Sequence, residues 1–110
     1  MKKFYIGEFE EVVLLTVGIL HGNAYGITIR DEIEKQMKRK VSIGSLQVTL
    51  RRLESKGFLK SIPGESEEAR RGRPKLFFEL TAFGKKAIEL THESRNNLWK
   101  QLPRLILKLQ

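Results

Sequence analysis

Cysteine is absent from the 110-residue sequence. That excludes disulfides and thiolate metal sites, and it agrees with a reducing compartment such as the cytoplasm. Histidine is scarce: His21 and His92 stand far apart, with no serine, aspartate or glutamate constellation around them. No nucleophilic or acid–base site is expected from such a pattern, and His92-Glu93 reads as an ordinary solvated pair without metal-ligand spacing. A phosphate-cradling loop is lacking too, because Gly64 and Gly72 bracket a hairpin and do not open a helix after a strand. The longest apolar stretch, residues 12–20, is interrupted by Thr16 and Gly18 and falls far short of the ~20 residues that cross a bilayer. Residues 1–8 lack the apolar core and small-residue cleavage site of a signal peptide. The expectation is a chain that catalyses nothing, carries no cofactor or metal, and stays off the membrane.

What is abundant is positive charge. Lys and Arg number 21 against 13 Asp and Glu, a formal net charge of +8. A polyanionic partner follows, with nucleic acid ahead of an acidic membrane. The length suits one compact body, and 40% hydrophobic residues suffice for a modest core.

Hydrophobic spacing predicts a first helix over residues 8–20, with Phe9, Val12, Val13, Thr16, Ile19 and Leu20 on one face. Leu14, Leu15 and Val17 fall elsewhere, so this helix is apolar nearly all round and needs covering on two sides. The second cover is expected from another subunit. Glu8, Glu10 and Glu11 suit the positive end of the helix dipole. A second helix is predicted over 25–39, where Ile29, Ile33 and Met37 form a narrow inward stripe. A third runs over 43–56, capped by Ser42 and stopped by Gly57, with Leu46, Leu50 and Leu53 buried. Residues 58–62 and 75–80 read as two strands of a hairpin with a long charged tip. Thr81 caps a final helix, which Pro103 kinks or stops ahead of an amphipathic tail. The fold class is mainly α with a small β-hairpin wing: a winged helix-turn-helix of three N-terminal helices, a two-stranded wing and a long C-terminal helix. Residues 1–81 are assigned to DNA binding and 82–110 to dimerisation.

The third helix has the chemistry of a reader of duplex DNA. Gln47 suits bidentate pairing with adenine and Arg51 with guanine or phosphate, while Val48 suits a thymine methyl. Ser42, Ser45 and Thr49 have hydroxyls short enough for phosphate at a helix start. Arg52 and Lys56 add cations further along. In the hairpin, Arg70, Arg71, Arg73 and Lys75 crowd around Gly72 and Pro74. Arg73 is the first candidate for insertion into a narrow minor groove, whose potential attracts arginine.

The runs Gly7-Glu8-Phe9-Glu10-Glu11-Val12-Val13-Leu14-Leu15, Ala24-Tyr25-Gly26-Ile27, residues 46–53 with Glu54, Lys56 and Gly57, and Phe77-Phe78-Glu79-Leu80-Thr81-Ala82-Phe83-Gly84 resemble the PadR family of bacterial transcription regulators. The resemblance spans nearly the whole chain in family order. It implies a winged-helix homodimer joined through the terminal helices, repressing at a palindromic promoter site. Tyr25 is then a packing and anchoring residue. One departure stands out: Leu46-Gln47-Val48-Thr49-Leu50 replaces the family's usual Leu-Tyr-Pro-Thr-Leu, so Gln47 lacks the stacking ring of the family tyrosine.

Dimer contacts are expected from Val12, Leu15, Leu90, Leu98, Trp99, Leu102 and Leu105. Two half-sites one helical turn apart multiply a weak single-site affinity. Trp99, the sole tryptophan, is a candidate to stack on a small aromatic effector. The competing expectations are a winged-helix module that docks proteins without sequence-specific DNA binding, and a binder of structured RNA by charge and shape.

Overall fold

The computed structural model describes residues 5–64 and 75–109. In chain order they form α1 (Glu8–Ile19), α2 (Gly26–Met37), α3 (Ile43–Ser55), β1 (Leu59–Pro63), β2 (Leu76–Leu80), α4 (Ala82–Lys100) and α5 (Arg104–Leu107). Local chemistry sets most of these boundaries. The Ser42 side chain accepts from the Ser45 N–H at 3.1 Å and opens α3. Gly57 closes that helix at φ +84°, a left-handed conformation that costs glycine nothing. Thr81 accepts from the Gly84 N–H at 2.9 Å and donates its hydroxyl to the Gly57 carbonyl at 2.6 Å. One side chain thus caps α4 and ties its start to the end of α3.

Two expectations about inward-facing residues change. Met37 is 44% exposed, not part of the core stripe. Residues spaced by four drift about 40° per step around a helix of 3.6 residues per turn. After Ile29 and Ile33, both fully buried, Met37 has rotated off the core, and Lys38 ends the helix in the left-handed region at φ 55°. Ile19 is 62% exposed. It continues an outer ridge with Val12 and Leu15, while Val13, Leu14 and Val17 face inward.

The core sits where α1, α2 and α3 meet the wing. Leu14, Ile29, Ile33, Leu46, Leu50, Leu53 and Phe58 are completely buried there. β1 and β2 pair antiparallel, with Leu59 opposite Leu80 and Pro63 opposite Leu76. The hairpin is docked to the body as well as to itself, because the Phe78 N–H donates to the Ala24 carbonyl at 2.8 Å. This is the winged helix-turn-helix read from the sequence.

α4 buries side chains against this body only over its first turns, and beyond them Arg95 reaches back to Glu11 of α1. Gly84 and Ala87 are its buried residues, and every residue from 97 to 109 is exposed. Among the described residues, no helix is long and apolar enough to cross a membrane.

Candidate nucleic-acid interface

Burial of Leu46, Leu50 and Leu53 fixes the inner side of α3. The opposite edge, at about 100° per residue, carries Gly44, Val48, Arg51 and Ser55, all exposed. A methyl group on Gly44 would meet nothing within 4 Å. The edge is therefore low at its start, long and cationic one turn later, and shaped to lie along a groove. Ser45 and Arg52 flank it toward α1, and Gln47 flanks it toward the wing. Thr49 does not join this surface. It is 5% exposed, one position before the buried Leu50, and offers little surface to a ligand.

On the wing side, Gln47, Tyr25, Lys75 and Leu76 line a cleft of about 350 Å³. The Lys75 ammonium lies 4.4 Å from the centre of the Tyr25 ring, a cation–π contact. The same ring meets Phe77 edge-on at 5.2 Å. Tyr25 thus holds the second strand of the wing against the start of α2, which is the anchoring part expected of it. The Gln47 amide nitrogen lies 2.9 Å from where a Gly26 Cβ would stand. Gln47 is therefore half-buried against α2, not extended straight outward.

On the other side of α3, Arg39, Lys40, Ser42 and Ser45 line a shallower hollow of about 210 Å³. Arg39 stacks over Phe9 at 5.3 Å and pairs with Glu8 at 3.5 Å. These two cations were not among the binding residues expected from the sequence. Their signal was the run Lys38-Arg39-Lys40 directly before the Ser42 cap, which also satisfies the negative end of the α2 dipole. Both readings use the same charges.

The hidden organiser of α3 is Glu10. It is 7% exposed and accepts from the Gly7 N–H at 2.9 Å. Its carboxylate also takes Lys56 Nζ at 3.0 Å and Arg52 Nη1 at 3.4 Å. The two cations expected on DNA are thus joined to α1. The neighbouring Glu11, also 7% exposed, pairs with Arg95 of α4. Consecutive buried acids of one helix therefore grip two different elements.

Burial opposes ionisation of Glu10. The Gly7 N–H, the bond and charge of Lys56, and the bond to Arg52 outweigh it, so its carboxyl titrates below its ordinary value. The folded state then holds fewer protons than the unfolded state in acid. The stabilisation is complete above the ordinary glutamate value of about 4.3 and disappears as pH falls through the lowered one. The gap in melting temperature between the parent and Glu10→Gln should be constant near neutral pH and close in acid. A gap that stayed level would contradict this assignment.

Arg70, Arg71 and Arg73 lie outside the described residues. Among the expected dimer residues, Leu98, Trp99 and Leu105 are 70%, 61% and 74% exposed. Leu15, Leu90 and Leu102 are exposed to a lesser degree. Val12 is half-buried against the core. Ile19, Ile106 and Leu109 are exposed as well, and the sequence reading had not included them among the dimer residues.

Comparison with known proteins gives a consistent result. A family model described as the transcriptional regulator PadR-like family matches residues 14–90. Among solved structures, the chain is similar to a PadR-like transcription factor from Bacteroides fragilis. The two share 27% identity at a TM-score of 0.71, over 91% of this chain and 88% of that one. A PadR family transcription regulator from Clostridium difficile also shares 27% identity, at a TM-score of 0.64, over 81% of this chain and 91% of that one. MarR from E. coli has the same fold at 22% identity and a TM-score of 0.61, over 93% of this chain and 70% of that one. No curated protein matches.

Proposed function

The chain belongs to the PadR-like family of transcriptional regulators, and from that premise we propose that it binds duplex DNA as a homodimer and represses transcription at a palindromic operator in the cytoplasm. Residues 1–81 supply the DNA-reading body and residues 82–110 the dimer contacts. The observation that carries this reading is the outer edge of α3, where Gly44, Val48 and Arg51 stand exposed beside the wing root. It has the dimensions and chemistry of a helix that enters a major groove.

Within this edge the parts divide by reach. Arg51 has the length for a base edge or a phosphate, and Val48 offers a methyl contact. Gln47 reads from the flank, steadied by Gly26. Ser42 and Ser45, with Lys40 and Arg39 beside them, hold the phosphate backbone. Lys75 and the arginines of the wing follow the backbone or the neighbouring minor groove. A flat aromatic effector stacking on Trp99 between two subunits would release the operator. The chain does no chemistry on what it binds.

Selection of binding sites from random duplex DNA tests the reading, with symmetric half-sites one helical turn apart as the expected result. Arg51→Ala should then weaken operator binding by about 1–3 kcal/mol if it pairs with a base, mainly at one base position. An even loss across all sequences would place Arg51 on phosphate instead. An unchanged affinity would remove it from the interface. A protein-docking module would select no DNA sequence at all.

A further inference from the structure

The cations of α3 are not equally available, and the difference lies in what already holds them. Arg51 has no side-chain partner among the described residues, whereas Arg52 and Lys56 share the buried carboxylate of Glu10. A phosphate that captured these two side chains would strip Glu10 of both counter-charges. A buried carboxylate without a partner is costly, so the exchange is unfavourable. Both cations nevertheless remain partly in solvent, with side-chain exposures of 50% and 37%. They lie on the α1 flank of the reading helix, the same flank as Ser45. They are long, they sit beside the DNA-facing edge, and they are occupied.

We propose that Glu10 withholds Arg52 and Lys56 from DNA and so limits sequence-independent binding of this chain, making it a specificity-determining residue that touches no base. The proposal rests on the DNA-binding function put forward above. A chain with a net charge of +8 adheres to any duplex, and each phosphate it neutralises adds to that adhesion without adding discrimination. Occupying two cations internally lowers the sequence-independent component and leaves base contacts intact. Specificity is the ratio of the two, so it rises. The carboxylate is well suited to the task, since its second anchor, the Gly7 N–H, keeps it in place whether or not a cation lets go.

The test is the salt dependence of binding to a random duplex and to the selected operator, for the parent, Glu10→Gln, Lys56→Gln and the double variant. Glutamine keeps the oxygen that accepts from Gly7 but loses the charge. Glu10→Gln is expected to bind random duplex roughly tenfold more tightly at low salt. Its slope against salt should steepen by about 1–2, because each added phosphate contact contributes about 0.9. The operator-to-random ratio should fall. Lys56→Gln alone should leave the parent's slope unchanged, and in the double variant it should remove part of the gain. A merely structural glutamate would lower the melting temperature of Glu10→Gln and leave its slope alone, which overturns the proposal. Should Glu10→Gln fail to fold, Lys56→Gln decides by itself: a slope shallower by about 0.9 means Lys56 already meets phosphate, and the proposal fails. A parent that binds no duplex at any salt overturns the DNA-binding function itself, a result distinct from either of these.

Discussion

Gly84→Ala should cost about 3 kcal/mol of stability, the upper end for forcing one methyl into a packed site, and lower the melting temperature by roughly 10–20 °C for a domain of this size. A Cβ at Gly84 would stand 2.1 Å from the Phe58 carbonyl oxygen and 2.9 Å from its carbon. Those are backbone atoms, so no side chain can swing aside. Phe58 is itself pinned. Its N–H donates to the Leu53 carbonyl at 3.0 Å, and its carbonyl accepts from the Thr81 N–H at 3.1 Å. The first turn of α4 would have to lift off the junction between α3 and β1, taking the Thr81 cap with it. Gly44→Ala provides the contrast, because its new methyl meets nothing within 4 Å. It should be neutral or stabilise by up to about 1 kcal/mol, as alanine does over glycine within a helix. Thermal melts of the two variants decide the matter. Equal melting temperatures would show that the close approach at Gly84 is not what limits stability.

The second large effect concerns assembly. Leu98→Glu combined with Leu105→Glu should turn a dimer into a monomer and weaken operator binding by about 10²–10⁴, the range lost when two linked contacts become one. Leu98 and Leu105 are among the most exposed apolar side chains and contribute nothing to the core around Phe58 and Leu50. The monomeric body should therefore keep its helical content. Trp99, Leu102 and Ile106, close to them in sequence, are exposed too, and exposed apolar side chains gathered in this way mark interaction surfaces. Molar mass by light scattering, with operator titration on the same samples, checks both halves. A variant that still elutes with the mass of two chains, or a parent that already has the mass of one, would defeat the proposed interface.

How far the sequence revealed this arrangement depended on the range of the interactions. Ser42, Gly57 and Thr81 were legible because caps act over three or four residues and use few residue types. The buried face of α3 was legible from leucine spacing, but that of α1 was not. Leu14 and Val17, read as lying off the face, are buried, and Ile19, read as lying on it, is 62% exposed. A helix apolar nearly all round has no single stripe to follow. Nor were the roles of Glu10 and Glu11 legible. An acid in the first turn of a helix already has a reason to be there, and the partners Arg52 and Lys56 lie 42 and 46 residues away. The same ambiguity covered Arg39 and Lys40, where the dipole explained the charge before the hollow beside Ser42 could. Thr49 was misplaced because a hydroxyl next to exposed polar neighbours looks superficial. Only the packing of α1 over that flank of α3 puts it inside. Met37 was misplaced by a spacing of four carried one step too far.

The roots of the wing carry one more consequence. The Gly64 N–H donates to the Lys75 carbonyl at 2.7 Å, and Tyr25 grips both Lys75 and Phe77. The two points where the intervening stretch leaves and rejoins the body are thereby fixed by bonds that do not depend on what lies between them. Doubling the length of a closed loop adds only about 0.6 kcal/mol. Lengthening or respacing the insert between Gly64 and Lys75 should therefore cost the body little stability, since the contacts that anchor its two ends lie outside it.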